Sequence, residues 1–470
     1  MTSRAPGSAG IEATTHVAST RWIRNPPLWI FLGCLTLYSV NGRSIAEVDC
    51  DVAPYAAWSL VQHGTFDVSA YPVTSGLVGS VVVRTSDGKL VSKYPPGSTL
   101  AAVPFVAPFA MLRVDPLEKR SRMRRLGKHI ASIYVAASIV LIYLLCSRLA
   151  PSAAVPTTLL AAFGTTLWST ASQGYWAHGP AVFFLALALY LLLRSREGPK
   201  LGAVAIAGLA LGMAMLIRPT TGLFALASIL SLAIHRRWAG GILLSAIVSV
   251  MAGLLVSYNH HYFGNWLAGG YLAEIDSWST PLRVGLPGLL IAPSRGLFVY
   301  SPALLLLPFA FNPLRRSGRL TSQTSGTILA WFITAVVTLF VYARWHVWWG
   351  GWCFGPRFLT ETIPILAILF ALAFERLDRR WGSYGRRLAW VLITVSVSIH
   401  FIGVFGYHVD WMFSHEAADM FRIGDTQIAA RIRVLLWERP VSLAIPIVAV
   451  IGMLLYRRSG IGGPTELRLR

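Results

Sequence analysis

PPLWIFLGCLTLYSVNGRSIAEVDCDVAPY, Pro26 to Tyr55, decides how the rest of the chain is read. Its first half is apolar and uncharged, and its second half places Glu47, Asp49 and Asp51 within five residues. The whole chain has 20 acidic against 41 basic residues among 470, so three carboxylates at the rim of an apolar run are out of proportion. An apolar run that ends in charges fits a membrane span emerging into water. No A-x-A-like cleavage site follows, so the run reads as an uncleaved first span rather than a signal peptide.

Working outward, similar runs recur to the far end. Hydrophobic residues make up 55% of the chain and charged ones 13%, and the mean hydropathy is +0.58. That composition excludes a soluble domain of this length and implies an all-α polytopic membrane protein. About twelve spans are expected, centred near Leu35, Val140, Leu160, Leu187, Leu209, Leu226, Val248, Leu304, Thr334, Leu366, Val397 and Val448. Basic clusters at Arg21/Arg24, Arg194/Arg196/Lys200, Arg236/Arg237, Arg315/Arg316/Arg319, Arg376 through Arg387 and Arg457/Arg458 then share one side. By the positive-inside rule that side is the cytoplasm, with both termini inside a multi-pass protein of the plasma (inner) membrane. The net charge of +21 therefore belongs to loops and membrane lipids and implies no nucleic-acid partner.

This parity gives a cytoplasmic tail at 1–27, a single transmembrane domain at 28–456 and a second tail at 457–470. Outer loops fall near 41–128, 258–296, 344–360 and 407–439. Ser98–Leu112 is apolar but short and contains Pro104 and Pro108, so it reads as a helix lying in the outer interface. The basic run behind it, through Lys128, is then a local exception to the rule. The spans are nearly free of ionisable groups, His400 being the main exception, which favours chemistry at the outer surface over ion-coupled transport. Of the cysteines, Cys50 and Cys353 both fall in outer loops, and unpaired thiols are the expected state.

The first outer loop is partly structured. Pro54 suits the first turn of a helix that Gly64 ends, with Asp51 at its N-terminus and Tyr55 and Trp58 on one face. Residues 77–94 alternate around Asp87-Gly88, a hairpin turn whose second strand delivers Lys93 to Tyr94-Pro95-Pro96.

At these residues the chain resembles the GT-C membrane glycosyltransferases, nearest to the protein O-mannosyltransferase and aminoarabinose transferase types. DVAPY, Asp51 to Tyr55, is similar to the family's D-E-x-x-Y pattern, with Val52 in place of Glu. DGKLVSKYPPG, Asp87 to Gly97, resembles its second pattern, with Tyr94 between the Lys and the prolines. GLALGMAMLIRPTTG, Gly208 to Gly222, resembles a third, with Arg218 in the basic position. WAHGPAVFFLALAL, Trp176 to Leu189, resembles a fourth, with His178 where an acid is common. The resemblance implies a GT-C-like fold and transfer of a sugar from a polyprenyl-phosphate donor to a glycan, lipid or protein acceptor at the outer face.

Such a reaction needs a base for the acceptor hydroxyl and cations for the leaving phosphate. Asp51 is the candidate base by its match to the family acid, with Asp49 next to it. The alternative is that these two acids hold a divalent cation, Mg²⁺ or Mn²⁺. Lys93, Arg218, Arg295, Arg344 and Arg357 are candidate phosphate ligands, and Tyr55 and His178 further substrate-binding residues. ARWHVWWGGWCFGPRF, Ala343 to Phe358, offers an aromatic wall that includes Trp348, although Gly350-Gly351 interrupt any helix there. His260 and His261 are adjacent and do not share a helix face, which argues against a paired metal site. A lipid-linked sugar flippase or transporter, and a non-catalytic assembly subunit, are the rival readings.

Overall fold

Pro26 and Pro27 open the first helix, α1 (Pro26–Ser39), and the Asn25 side chain accepts from the Leu28 amide at 3.5 Å. The computed structural model describes residues 25–112, 120–195, 197–274, 276–311 and 320–444. The fold is mostly helical. After α1 the main helices are α2 (Val52–His63), α3 (Gly97–Met111), α4 (Arg120–Leu149), α5 (Ala154–Phe163), α6 (His178–Leu193) and α7 (Leu201–Ile217). Then follow α8 (Gly222–Ile234), α9 (Trp238–Phe263), α10 (Leu282–Ile291), α11 (Ser322–Arg344), α12 (Ile363–Trp381), α13 (Ser383–Gly406) and α14 (Gln427–Trp437). Among the described residues, 5 helices are long and apolar enough to cross a membrane, and the shorter apolar helices run 10–17 residues.

Of the expected span centres among the described residues, Leu304 does not fall in such a helix. Leu304 lies in a tight 3₁₀ segment, Pro302–Ala310, with Pro302 at its start and Pro308 inside it. Val448 lies outside the described residues, as do both expected tails apart from residues 25–27.

The expected first-loop elements form. Gly64 closes α2 in the left-handed region at φ 67°. Strands β1 (Val82–Arg84) and β2 (Leu90–Ser92) pair antiparallel, with Gly88 at φ 85° in the turn. Helix α3 turns Ser98, Ala101, Ala102 and Val106 inward, and Tyr134 of α4 donates to the Ala101 carbonyl at 2.8 Å.

The apolar stretch of the helix running Arg357–Trp381 is 100% buried, so α12 is the central post of the bundle. Helix α9 is the opposite case: its apolar stretch is 22% buried, and Ile242, Val250 and Leu254 are exposed as a lipid-facing surface would be. Where α9 meets α7, Gly208 and Gly212 replace side chains with close backbone approach to Ile247 and Met251. A Gly212→Leu variant should lose about 1–3 kcal/mol from overpacking, read as a lower melting temperature in detergent.

Some polar groups inside the bundle find local partners. His400 sits between the Ser169 hydroxyl at 2.8 Å and the Ser301 hydroxyl at 3.3 Å. All four cysteines are buried and free, as expected.

Candidate functional site at one end of the bundle

Chain direction puts the C-terminal ends of α1, α7 and α11 together with the N-terminal ends of α4, α6 and α12. The residues meeting there come from stretches hundreds of positions apart. Arg357 Nη1 donates to Asp49 Oδ2 at 2.8 Å, and the Tyr94 hydroxyl donates to Asp49 Oδ1 at 2.8 Å. Beside Tyr94, Lys93 Nζ donates to Glu274 at 2.8 Å and lies 5.6 Å from the Tyr94 ring and 5.7 Å from the Tyr271 ring. Arg357 also lies 4.7 Å from the Trp176 ring and 5.3 Å from Phe358.

Phe358 stacks on Tyr342 at 4.7 Å, and Arg218 packs 5.5 Å from that tyrosine ring. Arg218 donates to the Tyr342 hydroxyl at 2.5 Å and pairs with Glu361 at 2.8 Å. His178 Nδ1 meets the same Glu361 oxygen at 2.7 Å. Asp49, Lys93, His178, Arg218 and Arg357, all singled out from the sequence, are thus linked through Tyr94, Tyr271, Tyr342 and Phe358 into one cluster, here called the chamber, where the Asp49 and Glu274 side chains are 29% exposed. Among the described residues, Arg357 Nε and Glu361 Oε2 are buried there without a hydrogen-bond partner, a donor and an acceptor left for a ligand.

Glu361 was not singled out from the sequence. It stands one residue past the expected loop boundary, at the head of the buried central helix, and the signal was there: an ionisable residue flush against an apolar run. It brings a carboxylate to His178, the position where the family often has its own acid.

Asp51 is placed differently from Asp49. Arg124 donates to both of its oxygens at 2.6 and 2.8 Å, and Arg120 Nε donates to Oδ2 at 3.0 Å, with a second contact from Arg120 Nη2. Its side chain is 1% exposed. The basic run that broke the positive-inside rule is therefore partly spent on this carboxylate, and Lys128 is spent on Asn41 and the Arg43 carbonyl.

The remaining sequence candidates lie elsewhere. Arg295 is wholly buried and donates to the Trp349 carbonyl at 2.7 Å, the Gly351 carbonyl at 3.0 Å and Gln427, so it ties one loop to α14. Arg344 is exposed at the end of α11. Trp348 is buried against Gly288 and Phe421 and presents no face to a sugar. Tyr55 packs on Tyr71 in the core behind α2. His260 stacks on Trp266 at 3.9 Å.

Metal binding fits these residues poorly. Both Asp49 and Asp51 are neutralised by guanidinium groups, and no group of three His, Cys, Asp or Glu side chains able to hold an ion occurs among the described residues.

Electrostatics separates the three early acids. Burial works to raise the Asp49 pKa, but Arg357 and the Tyr94 hydrogen bond outweigh it and hold the carboxyl below its ordinary value. Glu47 goes the other way: burial, aided by Asp49 and Asp51 against Arg124 and Arg357, lifts it to about 7. Between its ordinary 4.5 and about 7 the folded protein holds a proton that the unfolded chain has lost, so rising pH removes stability across that window. The melting temperature in detergent should therefore fall as pH rises from 4.5 to about 7, and fall less in a Glu47→Gln variant.

Residues 125–261, which include His178 and Arg218, match the family model described as dolichyl-phosphate-mannose-protein mannosyltransferase. No curated protein matches the chain. The fold is similar to that of ArnT from Cupriavidus metallidurans, solved bound to undecaprenyl phosphate, with TM-score 0.56 and 15% identity over 93% of this chain and 73% of that one. The archaeal oligosaccharyltransferase AglB from Archaeoglobus fulgidus, in complex with an inhibitory peptide and a dolichol-phosphate, matches at TM-score 0.44 and 15% identity over 81% of this chain and 55% of that one. The resemblance read from the four motifs therefore holds at the level of fold, and this chain is similar to the GT-C membrane glycosyltransferases of the protein mannosyltransferase and ArnT kind.

Proposed function

We propose that this protein is an integral-membrane glycosyltransferase moving a sugar from a polyprenyl-phosphate donor to a glycan, lipid or protein acceptor. It lies in the plasma membrane with the chamber end outside and both termini in the cytoplasm. One observation carries the reading: Asp49, Lys93, His178, Arg218 and Arg357, scattered in sequence, converge on one chamber. The orientation is supported at the other end of the bundle, where Arg148 meets the Arg194 carbonyl and Arg237 the Glu197 carbonyl.

In this reading Arg357 and Lys93 take the donor phosphate, with Arg218 behind them. The acceptor oxygen attacks the anomeric carbon, the bond from that carbon to the phosphate oxygen breaks, and the two cations hold the departing negative charge. The acceptor proton passes to Asp49, which its neighbours keep ionised. Asp49 takes the base role rather than Asp51 because two arginines bind both oxygens of Asp51, whereas Asp49 has one guanidinium partner and one neutral hydroxyl partner. No step is assigned to a metal ion.

A groove of about 1120 Å³ between α8 and α11, lined by Leu223, Leu226, Leu230, Leu329, Ile333 and Val337, supports a lipid-borne donor. Its upper end lies about a turn below Thr220 and Tyr342, which are 2.9 Å apart at the chamber wall. A phosphate in the chamber and an apolar tail in the groove fit one molecule, and ArnT, which shares the fold, is solved with such a lipid phosphate.

Mass spectrometry of envelope glycans and glycoproteins, with and without the protein, tests the reading. Loss of one glycosidic linkage, with its prenyl-phosphate sugar accumulating, is the expected result. Unchanged linkages together with uptake of a lipid-linked sugar by protein-bearing vesicles would identify a flippase instead.

A further inference from the structure

Away from the chamber, three arginines crowd the C-terminal end of α13. Arg43 donates to the carbonyls of Tyr407 at 2.8 Å, Val404 at 3.1 Å and Phe405 at 3.2 Å. Arg439 reaches the same Phe405 carbonyl at 3.5 Å. Arg431, on α14, lies 5.1 Å from the Tyr407 ring. The exposed carbonyls of a helix C-terminus attract cations, which explains Arg43 and Arg439.

It does not explain Arg431. That side chain is 1% exposed, and among the described residues its Nε and Nη2 have no hydrogen-bond partner. A buried guanidinium that lacks a carboxylate is costly, and one ring contact offsets only part of that cost. The acids that face the cluster do not neutralise it: Asp410 is 75% exposed and pairs with His408 at 2.8 Å, and Glu47 lies toward Tyr407 from the chamber side. Burial, then Arg439 and Arg431, hold the Arg43 guanidinium down to about 10, as unrelieved positive charge would.

The geometry points to a second anion site, in which Arg43, Arg431 and Arg439 receive the phosphate group of an anionic lipid headgroup. Phosphate matches the guanidinium fork, and an anion here supplies the missing acceptor for Arg431. The lipid source follows from the same helix, because α14 exposes Ile432, Leu436 and Trp437 beside the cluster, the pattern of a surface at headgroup depth. The site is distinct from the chamber that would hold the donor phosphate, and it does not depend on the transfer reaction.

The test is lipid retention by the full-length protein. Wild type, Arg431→Met and Arg431→Lys are purified from mixed vesicles of phosphatidylglycerol and phosphatidylcholine, and bound lipid is weighed by native mass spectrometry. Wild type should retain phosphatidylglycerol selectively. Arg431→Met should lower that preference about fivefold, the contribution of one arginine near an anionic surface, and Arg431→Lys should restore most of it. Equal retention of the two lipids by wild type, or an unchanged preference in Arg431→Met, overturns the proposal. If Arg431→Met does not fold, the half-buried pair Arg43→Gln with Arg439→Gln is read in its place, with the same outcomes. Inorganic phosphate provides the second arm: raising the melting temperature of wild type but not of Arg431→Met, without any lipid preference, upholds a phosphate site and overturns the lipid source.

Discussion

An Asp49→Asn variant should transfer sugar about 10²–10⁴-fold more slowly than wild type while binding the donor as well or better. The amide keeps the shape of the carboxylate and its contact with Tyr94, but it cannot take the acceptor proton. It also releases Arg357, whose Nη1 is held by Asp49 at 2.8 Å, for the donor phosphate. Single-turnover assays with labelled prenyl-phosphate sugar separate the two effects: the rate falls and the dissociation constant does not rise. Wild-type turnover in the Asp49→Asn/Asp51→Asn double variant would sink the mechanism.

An Asp51→Asn variant should fail in another way. Its carboxylate, 1% exposed, joins the start of α2 to two arginines at the start of α4, whose side chains are 39% and 26% exposed. Removing one member of a buried ion pair costs ~3–5 kcal/mol, and the partial exposure of the arginines favours the lower end. The melting temperature in detergent should therefore drop well below that of Asp49→Asn. A variant at 51 that melts like wild type but has lost turnover would return the base role to Asp51.

The difference between these two acids was not legible in the sequence, where they stand two residues apart. Which carboxylate faces the chamber depends on the turn at Val48–Cys50 and on where α4 begins. Local features were legible because they depend on local chemistry. Gly64 ends α2, Asp87-Gly88 turns the hairpin, and Lys93 lands where the second strand delivers it. Convergence was legible only through sidedness: once Lys93, Arg218 and Arg357 all fall at one end of the bundle, packing has few ways to keep them apart. Glu361 and Tyr342 escaped because hydropathy reports that a segment is apolar and not which residue of its first or last turn faces inward. Arg295 misled for the same reason: beside a glycine in an outer loop it looks available, yet three backbone carbonyls take up its guanidinium. Leu304 shows the limit for spans, since hydropathy does not tell an α-helix from the tighter 3₁₀ winding found at Pro302–Ala310.

The groove between α8 and α11 has a kinetic corollary. Under the proposed function, a long isoprenoid donor arrives sideways from the bilayer, because α12 fills the middle of the bundle. The donor's effective concentration is then set in two dimensions, per unit of membrane area, rather than in the surrounding water. Short-chain, water-soluble analogues should saturate the protein poorly however well their phosphate fits, and the stiffness and thickness of the host membrane become variables of the reaction rate.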